Sequence, residues 1–409
     1  MFRKLIIAAA AMLLTLGAFA ADEPEKPWKY VNAKDLRIIN KGFNDTERDF
    51  SRLPAYLKDS VRTSLWDRQQ CSSGIGVRFA TNSSRIGVRY QLHLNTHMIH
   101  MADTGLKGTD LYIFEGDSVW RHVNTNRPYI SDKYPKEEKI VESVYVSNVD
   151  TTRMTEYMVY FPLYDGIEWL EIKVDENADI NAGATSLIDP DRKIIAYGTS
   201  ILQGGCASRT GMAATNILSR MLNAEVVNLG FSGDGKMDSE VARALASIPD
   251  VDMYILDPVP NCTEMMCDTL TYGFVKILRD AKPDVPIVMV EGPLYPYYRY
   301  DSFFNKYLPA KNEKYRRNYD KLKAENPANL YYVDSVNLDG VEDDGTVDGI
   351  HLTDLGFKYY AEKLYPEIRP LLDASVDAKH QRIAAEKAKA QTKDGKKKNK
   401  KAAKGRKNK

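Results

Sequence analysis

A chain of 409 residues is longer than one hydrophobic core usually fills, so two domains are expected, and 43% hydrophobic with 28% charged residues excludes a disordered or fibrous class. The net charge of +1 hides an asymmetry: residues 381–409 carry 13 Lys and Arg against Glu386 and Asp394, a net +11, which leaves −10 on residues 1–380. No aromatic residue interleaves those lysines, so nucleic acid is not an expected partner.

At the start, Arg3 and Lys4 precede an apolar run from Leu5 to Ala20 that is shorter than the roughly 20 residues of a membrane span. Ala18-Phe19-Ala20 gives a small-x-small cleavage pattern. Residues 1–20 are therefore expected to be a signal peptide, and the mature protein to be periplasmic or secreted.

Residues 21–188 read as an antiparallel, jelly-roll-like β-sandwich. Segments such as Gly74–Thr81, Arg85–Leu92, Asp110–Gly116, Tyr157–Tyr164 and Ile167–Val174 are short and β-prone, with no helix-like stretch between them. In the first two, Ile75, Val77 and Phe79, then Ile86, Val88 and Tyr90, recur at period two, the spacing of one buried strand face. His93, His97 and His100 fall within eight residues, but on a strand His100 faces away from the other two, so no metal site is expected there. His100 is expected to line a domain interface instead.

From residue 189 to 375 the pattern changes. Near-continuous apolar runs at Lys193–Gly198, Ala224–Gly230, Val251–Asp257, Val285–Gly292 and Asn329–Ser335 alternate with helix-like stretches, which predicts a parallel sheet covered on both faces. A last helix is predicted from about Leu352 to Ile368 with Thr353 as its N-cap. Residues 376–409 are predicted to be a disordered basic tail able to contact anionic surfaces.

Ligands of such sheets bind beyond the carboxyl ends of the strands. Those positions offer Ser200 after the first run, Ser232 and Gly233 after the second, Asp257 and Asn261 after the third, and Asp348 with His351 after the fifth. Serine needs a base to take its proton, and the base needs a partner to fix its tautomer. Asp348 and His351, three apart, fit that demand, and His351 is the one histidine between Pro190 and Asp373. The backbone N–H groups of Ser200 and Gly233 and the side-chain amide of Asn261 are candidate oxyanion donors.

These four blocks, "YGTSI", "NLGFSG", "VPNC" and "DGIH", resemble the SGNH (GDSL-type) hydrolase superfamily from about Lys193 to Leu371. The resemblance implies a flavodoxin-like α/β/α serine esterase with catalytic Ser200, His351 and Asp348, an oxyanion hole of Ser200, Gly233 and Asn261, and no metal or cofactor. The departures are Thr199 before the serine and Val259 and Cys262 beside the asparagine. Gly108-Thr109-Asp110-Leu111-Tyr112 resembles the Gly-x-Asp-Leu-Tyr signature of a sandwich domain preceding some of these enzymes, with Asp110 expected to serve packing.

Tyr295, Tyr297, Tyr298 and Arg299 follow the fourth run and are candidates for substrate binding. Cys71, Cys206, Cys262 and Cys267 allow disulfides in an oxidising compartment, and Cys206 and Cys262 are expected to be near neighbours if both line the site. The expected function is removal of small acyl groups, O-acetyl above all, from an acylated oligo- or polysaccharide. The alternatives are acyl transfer on the same fold and non-catalytic glycan binding at a surface.

Overall fold

The computed structural model describes residues 26–116, 119–184, 189–336 and 341–405. The expected signal peptide lies outside them, and no helix among the described residues is long and apolar enough to cross a membrane.

Alternation at period two builds the first half. Its strands are β1 (Trp28–Asn32), β2 (Arg37–Ile39), β3 (Gly76–Thr81), β4 (Ile86–Leu92), β5 (Asp110–Glu115), β6 (Val119–Thr125), β7 (Ile140–Val146), β8 (Thr155–Tyr160), β9 (Ile167–Asp175) and β10 (Ile180–Asn181). They make two antiparallel sheets, β1-β9-β4-β7 and β10-β3-β8-β5-β6, with β2 added to β3. Val77 and Phe79 of β3 and Ile86, Val88 and Tyr90 of β4 fill the space between the sheets with Val159, Leu170 and Ile172. Each such side chain contributes roughly 1.5–3 kcal/mol of transfer free energy, which fixes the strand register.

The second half starts at β11 (Asp189–Gly198), followed by β12 (Ala224–Gly230), β13 (Met253–Asp257), β14 (Ile287–Val290) and β15 (Leu330–Val333). All five pair in parallel in the order β12-β11-β13-β14-β15. Because both faces are covered, successive residues of one strand enter different cores. Ile194 and Ala196 pack toward the helix Ala214–Leu222 and the C-terminal helix, whereas Ile195 and Tyr197 pack toward Ser239–Ser247 and Thr271–Ala281. The strand order reverses direction at β11, and chain reversals of this kind open a crevice at the strand ends.

The C-terminal helix begins after Thr353, whose hydroxyl accepts the N–H of Gly356 at 3.3 Å. Phe357, Ala361, Leu364, Ile368 and Leu372 form its buried stripe. The helix continues from Asp354 to Gly405, where charge patterning predicts disorder beyond residue 376. Ala, Lys, Gln and Glu, all good helix formers, dominate that stretch.

The two halves are tied by polar groups. Asp110 is fully buried and accepts hydrogen bonds from Arg209 Nη1 at 2.7 Å, the Gly211 N–H at 2.8 Å and Thr125 Oγ1 at 2.6 Å. The aspartate of the Gly-x-Asp-Leu-Tyr segment is thus a cross-domain ion pair, where packing alone is expected from the sequence.

Candidate active site

Gly198 ends β11 in register with Gly230 on β12 and Asp257 on β13, so three strand ends form one row. A Cβ on Gly198 would lie 2.6 Å from the Asp257 carbonyl oxygen, which explains why the strand must end in glycine. Thr199 is extended, and Ser200 opens a one-turn helix to Gln203. As the first helical residue, Ser200 has an N–H with no intrahelical acceptor.

His351 Nε2 lies 3.0 Å from Ser200 Oγ, and its Nδ1 lies 2.8 Å from Asp348 Oδ2. The other Asp348 oxygen accepts the N–H groups of Ile350 at 3.0 Å and His351 at 2.8 Å. Gly349, at φ +86, allows the tight turn between them. A carboxylate at Nδ1 places the proton there and turns the Nε2 lone pair toward the serine. Burial pushes the Asp348 carboxyl upward, but hydrogen bonds from the His351 ring and the two backbone N–H groups outweigh it and hold Asp348 below its ordinary value.

Asn261 Oδ1 accepts the Gly235 N–H at 3.2 Å. That bond engages the oxygen of the side-chain amide, so the nitrogen is its donor end. Gly233 sits at φ +74 with nothing near its missing Cβ, so backbone conformation, not crowding, demands glycine there. Ser200, Gly233, Asn261 and His351 all line one open cleft of about 550 Å³. Its size is that of a small-ligand site.

Tyr295 and Tyr297 line the same cleft, their rings stacked with centroids 5.7 Å apart. Tyr298 packs against the core and Arg299 pairs with Asp343, so these two lie outside the cleft lining. Phe304, Tyr307 and Lys311, from the helix Phe304–Glu325, complete that wall. The three clustered histidines do not converge: His93 bonds Glu168 at 2.6 Å, His97 bonds Asp103 at 2.9 Å, and His100 meets the ring of His351. All four cysteines are free thiols, with Cys262 in contact with Cys267.

The sequence patterns miss several supports of the site. Arg52, fully buried from the sandwich half, donates to the carbonyls of Arg68 at 2.7 Å, Cys71 at 2.8 Å and Gly230 at 2.6 Å. Burial lowers its guanidinium to about 10. Gln203 bonds the Leu163 carbonyl at 3.0 Å and accepts the Ser232 N–H at 2.9 Å, joining the serine helix to the glycine loop. Tyr164 Oη donates to the Ser200 carbonyl at 3.3 Å. The one trace of Arg52 in the sequence is a charged residue between the apolar Phe50 and Leu53.

Residues 191–369 match the GDSL-like lipase/acylhydrolase family, and residues 28–180 match the Gly-x-Asp-Leu-Tyr family, the N-terminal domain of SGNH-hydrolase-type esterases. A crystal structure of a GDSL-like lipase candidate from Bacteroides ovatus ATCC 8483 is 32% identical with a TM-score of 0.77, over 85% of this chain and 98% of that one. The chain belongs to the GDSL-like lipase/acylhydrolase family. As a member it is a carboxylic ester hydrolase. The GDSL-like fold extends to the salicylyl-acyltransferase SsfX3 of a tetracycline biosynthetic pathway, 17% identical with a TM-score of 0.65 over 84% of this chain and 97% of that one. It extends also to a family two carbohydrate esterase from Cellvibrio japonicus, 13% identical with a TM-score of 0.50 over 85% and 99%. No curated protein sequence matches the chain. In this GDSL-like hydrolase the departing residue Thr199 is fully buried, and its hydroxyl has no hydrogen-bond partner among the described residues.

Proposed function

We propose that this GDSL-like hydrolase is exported and removes O-acetyl or similarly small acyl groups from an oligo- or polysaccharide. The observation that carries this reading is the continuous hydrogen-bonded chain from Ser200 Oγ through His351 to Asp348, opening into a tyrosine-walled cleft. The carbohydrate esterase named above supports the substrate class by fold alone. Tyr297, half-buried and stacked on the buried Tyr295, offers the cleft a flat aromatic face, a surface suited to a sugar ring.

Ser200 Oγ attacks the ester carbonyl carbon while its proton passes to His351 Nε2, and Asp348 stabilises the resulting imidazolium. The oxyanion is held by the N–H groups of Ser200 and Gly233 and the Asn261 amide. His351 then returns the proton to the departing sugar oxygen, leaving acyl-Ser200. Water, deprotonated by the same nitrogen, releases the acid.

Hydrolysis of para-nitrophenyl acetate, and then acetate release from acetylated oligosaccharides, tests the reading. Ser200→Ala and His351→Ala should each lower kcat by roughly 10⁶, with circular dichroism unchanged. Equal turnover in wild type and variants would overturn it. Transfer of the acyl group to an added saccharide, with no acid released, would replace hydrolysis by acyl transfer.

A further inference from the structure

Three ligand-type atoms, one each from His100, Cys206 and His351, lie within 4.8 Å of one another. They arrive from three separate segments: the loop between β4 and β5 of the sandwich, the turn after the Ser200 helix, and the Asp348–His351 turn. The rings of His100 and His351 meet edge to face with centroids 5.6 Å apart. Cys206 is held at φ +76, a left-handed conformation that few residues with a side chain adopt, and its thiol is buried beside the imidazoles.

Two imidazoles and a thiolate are the donor set of a thiophilic divalent cation, Zn²⁺ above all. His351 is already oriented for the task. Its Nδ1 is bonded to the Asp348 carboxylate, the outer partner that a metal-bound histidine ordinarily has, and its lone pair is on Nε2. Tetrahedral Zn²⁺ with bonds of about 2.0–2.3 Å needs the donor atoms to close slightly, which the exposed His100 is free to do by rotation.

We propose that His100, Cys206 and His351 form a binding site for Zn²⁺, and that the bound cation takes His351 Nε2 from Ser200 and switches the hydrolase off. The effect on turnover rests on the serine–histidine reading above; the binding does not. Cys206 forms its bond to the metal by losing its thiol proton to solvent, and nothing is oxidised or reduced.

Titration of the purified chain with Co²⁺ and Zn²⁺, followed by absorption and by para-nitrophenyl acetate turnover, decides the matter. Co²⁺ should produce a thiolate-to-metal charge-transfer band that Zn²⁺ displaces, and turnover should fall with occupancy and return on addition of a chelator. His100→Ala, compared with its own metal-free turnover, should weaken the cation on the order of 10–100-fold, and Cys206→Ser should lose the band. No band in wild type, or equal Zn²⁺ inhibition in wild type and both variants, would overturn the site. If Cys206→Ser fails to fold, His100→Ala decides alone: unchanged Co²⁺ affinity sinks the proposal. A band that wild type shows and the variants lose, in a chain that hydrolyses no ester, would keep the site and remove the esterase reading.

Discussion

Asp110 in the sandwich and Asp257 in the parallel sheet are both buried at strand ends, yet their surroundings differ. Asp110 meets a cation, Arg209, and the Gly211 N–H across the domain boundary, and the Thr125 hydroxyl within its own sheet. Among the described residues Asp257 meets only the hydroxyl of Tyr360, at 2.8 Å, and its second oxygen has no hydrogen-bond partner. The sandwich satisfies its buried charge and in doing so fixes the loop that follows Ser200. The catalytic half keeps an uncompensated carboxyl directly behind the row of strand ends, against Ile201 and Tyr295. A matched charge holds two domains in register; an unmatched one makes the second domain responsive to pH.

The largest effect expected from that contrast is in stability against pH. Burial raises the Asp257 carboxyl from 3.8 to about 7, with the Tyr360 bond only partly opposing it. Between those two values the folded chain keeps a proton that the unfolded chain has released. The stability contributed is therefore complete below pH 3.8 and is lost as pH rises through 7, a change of about 4 kcal/mol. Urea unfolding at pH 5 and pH 8 should show wild type losing more stability than Asp257→Asn. Parallel losses in the two proteins would mean that Asp257 does not titrate in this range.

Next in size is an effect on rate alone. Asn261→Ala removes one side-chain donor from the cleft and should cost about 3 kcal/mol of transition-state stabilisation, or 10²–10³ in kcat, with little change in KM. A rise in KM at constant kcat would instead make Asn261 a binding residue for the ground state.

Breaking the matched charge comes third. Asp110→Asn leaves Arg209 without its anion, and because Arg209 keeps partial contact with solvent the cost should be about 2–3 kcal/mol, below that of a fully buried pair. A lower urea midpoint with unchanged pH dependence is the expected signature. If Asp110→Asn unfolds at the wild-type midpoint, the domain tie is carried by packing.

Much of this was legible in the sequence because it is local. Runs such as Lys193–Gly198 and Val251–Asp257 state their burial on both faces, and a serine, an asparagine or an Asp-x-x-His turn past such runs states its position at the strand end. Arg52, Tyr164 and Arg209 were less legible because their partners lie far away in the chain. The bond from Arg52 to Gly230 spans 178 residues, and no periodicity encodes it. The histidine cluster was more legible, since strand alternation already set His100 apart: His93 and His97 each find a carboxylate, and His100 turns to the other domain.

The smallest effect separates glycines that the sequence cannot tell apart. "FSGDG" supplies Gly233 and Gly235, and only the first is an expected oxyanion donor. A Cβ on Gly235 would lie 2.1 Å from the Gly198 carbonyl oxygen, whereas one on Gly233 meets nothing within 4 Å. Gly233→Ala therefore pays only for its left-handed backbone, about 1–2 kcal/mol, and keeps its N–H in the cleft. Its Tm should fall slightly and its kcat by less than about tenfold, whereas Gly235→Ala should displace the strand end itself. If Gly233→Ala lost activity as completely as Ser200→Ala while remaining folded, the N–H at this position would need a glycine for its orientation, and the oxyanion geometry would depend on that loop more than on Asn261.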